Sequence, residues 1–380
     1  MSQIKLLFVL LFVLLIWKAT AQDEEEQSKL QFTGDFRFRV EEDWKSRKSD
    51  GTYRDNRTRL RYRVRFGATY EYSSAFSFGV RIRTGNPIKQ QDPQLTLGDT
   101  DGEFGTLPLG LEKIYLRGEF NDFVFWLGKN TFPFKKQNEL FWSDNVYPEG
   151  VSLSKTFRIG SDFLTSLKLT AGHFIIAHGG TSMGHDNFFQ GYQIHARMLG
   201  QKLDLFPSIY LFRNTPNIPD GFETFTFDYT LAHLGIQYKV FDKPYVKLGI
   251  DLYQNLENYQ ANDSIPARFK NERSGWTAGL TLGKFEEKGD WRATLTYNYQ
   301  EQFSAVDFMA QNDWARWDYS SFGSPDGRLT NFRGVELVGK YMINTNLTLT
   351  VKYYKLHQIM SYGNFLETGD RIRFDIDIGF

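Results

Sequence analysis

Five arginines alternate with other residues in one short segment of the sequence. They occupy positions 57, 59, 61, 63 and 65 of the stretch NRTRLRYRVRF, residues 56–66. A guanidinium group is always charged in proteins and binds carboxylates or phosphates through a fixed fork of N–H donors. Residues at every second position share one face only in a β-strand, because a helix would rotate each by about 200° from the last. The pattern therefore predicts a strand with one cationic face and one apolar face.

We find no group of residues that both matches a catalytic motif and lies in the structural context that the motif requires. The segment Gly180 to Gly184, GTSMG, matches the serine-hydrolase elbow. That elbow requires a strand-to-helix turn, whereas Ser182 lies in a glycine-rich loop between predicted strands. The six histidines lack metal-ligand spacing, and the sequence has no cysteine for a thiolate site. We therefore expect no enzyme, no metal site and no cofactor.

The elements that carry the arginines are sixteen strands predicted from apolar–polar alternation. Their ranges are 30–42, 58–72, 75–84, 111–120, 123–130, 150–158, 164–176, 188–198, 203–213, 229–241, 244–254, 274–284, 290–301, 332–342, 347–357 and 370–380. The connections alternate between long segments, such as 85–110, and tight turns, such as 121–122. Long external loops, short periplasmic turns and an even strand number are typical of bacterial outer-membrane barrels. The fold class that we expect is all-β: a 16-stranded antiparallel transmembrane β-barrel formed by residues 30–380.

Aromatic residues cluster where the predicted strands meet the short turns. They are Tyr70, Tyr72, Phe76, Phe120, Phe123, Tyr238, Phe241, Tyr245, Trp291 and Tyr341. Such a cluster predicts the aromatic girdle of a membrane interface. Its presence at the short-turn side supports a barrel that contacts outer-membrane lipids.

If the apolar face contacts lipid, the arginine face lines the lumen. The predicted pore-lining residues are Arg37, Arg39, Arg59, Arg61, Arg63, Arg65, Arg81, Arg83, Lys113, Arg117, Arg371 and Arg373. An unpaired guanidinium in a dry core is costly, so this wall must be wet or matched by acids. Two interpretations stay open: a path that favours anionic solutes, or ion pairs that stiffen the wall. Acids for such pairs are Asp35, Glu41, Glu71, Asp375 and Asp377.

The long loop 85–110 is the candidate for narrowing the pore. Its acids are Asp92, Asp99, Asp101 and Glu103. Facing the basic wall, they would create a transverse field across the lumen. In another loop, Trp314, Trp317 and Tyr319 could stack on a sugar or simply pack the loop.

The N-terminus predicts a secretory signal peptide, residues 1–21. Lys5 precedes an apolar run from Leu6 to Trp17, and Ala19-Thr20-Ala21 is a small-residue cleavage site. Twelve apolar residues are too few to cross about 30 Å of hydrocarbon as a helix. Residues 22–29 form an acidic, flexible N-terminus in this interpretation. Lys+Arg and Asp+Glu both total 45, so the charge balance gives no reason to expect a nucleic-acid partner.

One stretch and the terminal strand resemble a known family. The segment 126–153, WLGKNTFPFKKQNELFWSDNVYPEGVSL, and the ending RIRFDIDIGF are similar to the putative porins of Bacteroidota. The arginine-rich lumen more weakly resembles the alginate-export barrels and the phosphate-selective porins, although alginate exporters have eighteen strands. The resemblance implies passive diffusion rather than catalysis, and recognition of Phe380 by the outer-membrane barrel assembly machinery.

We therefore expect a porin of the bacterial outer membrane that passes small hydrophilic, preferentially anionic solutes. A barrel that moves an anionic polysaccharide would share the arginines, and a secreted all-β glycan-binding protein would share the strands. A homotrimer is an open form of assembly, since general porins are commonly trimers.

Overall fold

Strands dominate the computed structural model, which describes residues 29–91, 93–99, 104–179, 185–216, 226–310, 313–314 and 330–380. Two single 3-10 turns, Ala267–Phe269 and Asp307–Met309, lie in loops. The strands are β1 Leu30–Arg47, β2 Arg57–Glu71, β3 Phe76–Thr84, β4 Leu95–Thr96, β5 Leu109–Phe120, β6 Phe123–Lys129, β7 Glu149–Arg158, β8 Leu164–Ala177, β9 Asn187–Met198, β10 Leu203–Pro216, β11 Thr226–Asp242, β12 Tyr245–Asn255, β13 Ser274–Leu282, β14 Trp291–Gln300, β15 Phe332–Asn344, β16 Leu347–Gln358 and β17 Thr368–Gly379.

Sixteen of these strands close into one antiparallel barrel. Each pairs with its neighbour in the chain, and β17 returns to pair with β1, so that Arg39 lies opposite Asp375. Strand β4 is outside the closed wall: its two residues pair with Arg61 and Tyr62 of β2. Closure leaves no unpaired edge, which is the condition for β-strands to span a membrane. The predicted fold class is confirmed, with strand ends within a few residues of those expected.

The outer face of the barrel is apolar. Leu60, Val64 and Phe66 of β2 are exposed, as are Leu248, Ile250 and Leu252 of β12. The period of two places these residues outside and their neighbours inside. Most of the expected girdle is exposed at the end of the barrel that carries the tight turns, which we call the short-turn end. Exposed aromatics there include Tyr72, Phe241, Trp291 and Tyr341.

No helix in the described part of the chain is long and apolar enough to cross a membrane. The predicted signal peptide lies outside the described residues, as does the acidic N-terminus up to residue 28.

Candidate pore and constriction

One long connection crosses the interior of the barrel. Residues 130–148 join β6 to β7, and we call them the inward loop. Their aromatic side chains are buried against aromatic residues on the lumenal face of β8 to β12. Trp142 stacks on Phe132, with ring centroids 4.5 Å apart, and Phe141 stacks on Tyr253 at 5.3 Å. Burying these large apolar side chains gives the loop a strong reason to enter the barrel.

Polar contacts fix the inward loop to strands far from its own ends. Gln193 of β9 accepts from the backbone N–H of Lys135 at 2.6 Å and donates to its carbonyl at 2.9 Å. Asn138 donates to the Asp251 carboxylate of β12 at 2.7 Å. Gln300 of β14 donates to the Leu140 carbonyl at 3.1 Å. The loop therefore reaches from β6 to β14 inside the barrel and occupies part of the lumen.

Two glycines on the lumenal face make room for this loop. A Cβ atom at Gly191 of β9 would overlap the Phe134 ring. A Cβ at Gly249 of β12 would overlap the Gln137 side-chain oxygen. A larger residue at position 191 would displace the Phe134 ring, whereas one at position 249 would require the Gln137 side chain to move.

The described part of the loop 85–110, our candidate for narrowing the pore, contacts the inward loop and the loop 301–331. Gln90 accepts from the Tyr147 backbone N–H at 2.6 Å, and Gln91 donates to the Phe308 and Ala310 carbonyls. Asp99 is exposed, while the other acids proposed for the constriction, Asp92, Asp101 and Glu103, lie outside the described residues. That acids of this loop narrow the pore therefore stays a prediction. The inward loop also enters the interior, and apolar burial favours its position there.

The expected arginine ladder faces the barrel interior and is largely ion-paired. Arg39 forms a bidentate pair with Asp375, with N–O distances of 2.6 and 3.0 Å. Asp35 bridges two guanidinium groups of β2, those of Arg63 and Arg65, each at 2.7 Å. Further pairs are Arg37–Asp377, Arg59–Glu41, Arg57–Asp43, Arg81–Glu112, Arg117–Glu119, Arg371–Asp43 and Arg373–Asp313. The geometry favours the second interpretation of the ladder, in which ion pairs stiffen the wall.

Several of these arginines are buried and are not exposed to water in the lumen. Five of the predicted pore-lining arginines are buried: Arg39, Arg63, Arg83, Arg371 and Arg373. The sequence left open whether this wall is wet or matched by acids, and these five arginines have carboxylate partners. Loops cover them from inside: Arg83 donates to the Thr84, Asn86 and Lys89 carbonyls, and Arg371 donates to the Asp313 carbonyl. Lys113 instead contacts Thr131 at 3.1 Å and lies 5.5 Å from the Tyr147 ring centre.

Three acids of this network are not among the partners that we predicted from the sequence. Glu112 faces inward because a bulge between β3 and β5 breaks the alternation, and no residue type signals that bulge. Asp313 comes from a loop. Asp43 lies beyond the end that we predicted for β1, although continued alternation with Asp35 and Glu41 could have identified it.

His233 and Trp314 make contacts that stabilise the fold. His233 contacts Asp251 at 2.9 Å and stacks on Tyr253 at 4.8 Å. Trp314 packs against Phe332 and Tyr354, whereas Trp317 and Tyr319 lie outside the described residues. Ser182 and its motif, residues 180–184, also lie outside the described residues. Among the described side chains, no cluster of three potential ligands could hold a metal ion.

The carboxyl group of Glu272 makes the stability of the loop 256–273 depend on pH. Burial and the nearby Glu301 carboxylate raise the pKa of Glu272, in the loop 256–273, to about 7. The folded loop therefore holds this proton more tightly than the unfolded chain, whose carboxyl titrates near 4.5. We expect loop stability to be highest below about pH 4.5 and to fall as pH rises through 7.

Hydrogen exchange of the amides in loop 256–273, corrected for intrinsic rates, measures this effect. Exchange should accelerate between pH 5 and 8 in the wild type, and Glu272→Gln should flatten the profile. Glu287→Gln, exposed at the short-turn end, serves as control. A wild-type profile that stays flat across this range contradicts the expectation.

Comparison with solved structures agrees with the barrel. OprB from Pseudomonas putida, solved at high pH, matches with a TM-score of 0.56 at 12% identity, over 93% of this chain and 94% of that one. OmpF from Salmonella typhi in complex with daunomycin matches with a TM-score of 0.53 at 12% identity, over 93% and 98%. A search of curated proteins found no match. At such low identity these likenesses show the fold alone.

The family comparison covers most of the sequence. The model described as "Putative porin" matches residues 49–206 and 222–380. Together with the closed barrel, its apolar outer face and the loop that crosses its lumen, this match assigns the protein to the outer membrane as a channel. The chain belongs to the porin family that this model describes.

Proposed function

We propose that the protein allows small hydrophilic solutes to diffuse passively across the outer membrane of a bacterial cell, with a preference for anions. The sixteen-stranded barrel is of the size that leaves an aqueous interior. The inward loop reduces that interior, as a size filter for small solutes requires. It also leaves less room for a polysaccharide chain, which makes polymer transport the weaker alternative.

The observation that carries the anion preference is the charge of the lumenal face. Along the described strands, inward-facing lysines and arginines outnumber inward-facing aspartates and glutamates. Low-dielectric walls focus the field of such an excess into the water between them. Anions are therefore concentrated in the lumen relative to cations.

Reversal potentials of the purified protein in planar bilayers test this proposal. Across a KCl gradient, we expect the zero-current voltage to shift toward the chloride equilibrium potential. The shift should shrink at high salt, because screening shortens the range of lumenal charges. A zero-current voltage near zero or toward potassium would exclude the anion preference and leave the porin assignment in place.

Assembly is a further proposal, supported by the position of the last residue. Phe380 exchanges backbone hydrogen bonds with Gly34 of β1, at 2.8 and 3.0 Å, and its ring is exposed on the outer face. We propose that this exposed aromatic side chain at the barrel seam is the group that the assembly machinery binds.

A further inference from the structure

Two lumenal cations at the short-turn end lie side by side. Arg292 of β14 and Lys340 of β15 are direct cross-strand partners. Side chains at such positions have Cβ atoms about 5 Å apart. Neither residue forms an ion pair with any described carboxylate, and both are partly exposed. They differ in this from the buried, paired arginines of β1, β2 and β17.

An aromatic ring takes the place of an acid beside this pair. Phe285, in the turn 283–290, has its ring centre 5.3 Å from the Arg292 guanidinium carbon and 6.0 Å from the Lys340 nitrogen. A ring face attracts both cations without neutralising either. The ring thereby holds the two side chains near each other without a neutralising carboxylate among the described residues.

Further cations continue this group along the same end of the lumen. The charged groups that act on Lys247 of β12 are Lys135 of the inward loop, Arg292 and Asp204. The carboxylate of Asp204 is already held by His195 at 2.6 Å and by Arg197 at 3.5 Å. Lys247 and Lys135 therefore extend the positive surface from Arg292 toward the inward loop.

Most of the charged groups around Lys340 are matched by partners of their own. They are the cations Arg292, Lys352 and Arg37 and the carboxylate of Asp377. Asp377 pairs with Arg37 at 2.6 Å, so its charge is already matched. Lys352 is likewise matched, by Asp313 at 3.5 Å and by Glu336 at 3.7 Å. Arg292 and Lys340 are therefore the cations of this group whose field is not cancelled by a described carboxylate and reaches the water.

We propose that Arg292 and Lys340, supported by Phe285, form a binding subsite for small oxyanions at the short-turn mouth of the pore. A guanidinium fork and an adjacent ammonium group match the oxygens of a carboxylate, sulfate or phosphate. Lys247 and Lys135 lead the anion from this subsite to the inward loop. The inference rests on the proposed function and moves the source of anion selectivity from the arginine ladder to this pair.

Block of the chloride current by inorganic phosphate tests the subsite. In wild-type channels, phosphate should reduce the current with a saturating concentration dependence. In Arg292→Gln/Lys340→Gln, the half-blocking concentration should rise about tenfold or more, because two charge-assisted contacts are lost. The control Lys284→Gln/Lys288→Gln removes two cations from the exposed turn at the same end. Phosphate should block its current at the same concentration as in the wild type. Arg292→Lys/Lys340→Arg keeps both charges and should retain most of the block.

The outcomes separate this inference from the proposed function. Anion-selective wild-type channels whose double variant is blocked as before would overturn the subsite and keep the anion preference. Wild-type channels with neither anion selectivity nor phosphate block would overturn both. If the double variant does not assemble, Lys340→Gln alone must weaken the block, and a single variant with unchanged block overturns the subsite.

Discussion

Replacing Trp142 by alanine is expected to loosen the inward loop and open the channel. Trp142 is 2% exposed, packs against Phe132 and Phe189, and donates its indole N–H to the Val146 carbonyl at 2.9 Å. Truncating a buried tryptophan costs about 3–5 kcal/mol. Because Trp142 packs against Phe189 of β9 as well as against the loop itself, a large part of this cost falls on the docked state of the loop.

A change of about 3 kcal/mol shifts the ratio of docked to undocked loop more than about a hundredfold. Single-channel recordings should therefore show a second, larger conductance level in Trp142→Ala. Liposome swelling should also show faster entry of larger sugars.

Trp291→Ala provides the matched control for this effect. Trp291 is 55% exposed on the outer face and touches no part of the inward loop. Its loss should leave conductance unchanged. If Trp142→Ala also keeps the wild-type conductance and sugar cut-off, the inward loop does not limit the passage.

The wall of the barrel could be predicted from sequence, but the contents of its interior could not. Alternation over β1, β2 and β17 placed Arg37, Arg61 and Arg373 on the lumenal face, because the side-chain period of a strand is fixed by its backbone. The same alternation also places Lys247, Arg292 and Lys340 inside, although the β2 arginines are more conspicuous in the sequence. Wall residues follow from a local rule, so their positions are predictable one strand at a time.

The inward loop follows no local rule of this kind. From the sequence alone, its aromatic residues, such as Phe134 and Trp142, are compatible with either an exposed loop or a packed one. The position of Phe134 depends on Gly191, which lies on a strand distant in sequence and leaves space for its ring. The ion pairs of the ladder likewise require the cross-strand register, since Asp375 meets Arg39 only after the barrel closes.

Removing the carboxylate of Glu41 is expected to destabilise the barrel strongly. Glu41 of β1 is 2% exposed and pairs with Arg59, with Arg61 at 3.9 Å from its second oxygen. In the register of the sheet it lies between Arg59 of β2 and Arg373 of β17. Glu41→Gln leaves the partly exposed guanidinium group of Arg59 without its counter-ion, beside the buried charge of Arg373. Loss of one partner of a fully buried pair costs about 3–5 kcal/mol, which is the upper limit here. Urea unfolding of the lipid-reconstituted protein measures this loss.

A double variant separates ion pairing from packing at this position. Adding Arg59→Gln to Glu41→Gln should recover much of the stability, because removing both partners of a pair is less harmful than removing one. Glu71→Gln, an exposed acid of β2 that accepts from Gln31 at 3.0 Å, should change stability by less than about 0.5 kcal/mol. Equal stability of Glu41→Gln and the wild type would mean that water, not Glu41, balances these arginines. The ladder would then be a hydrated wall able to select anions, and the selectivity assigned to Arg292 and Lys340 would have to be shared with it.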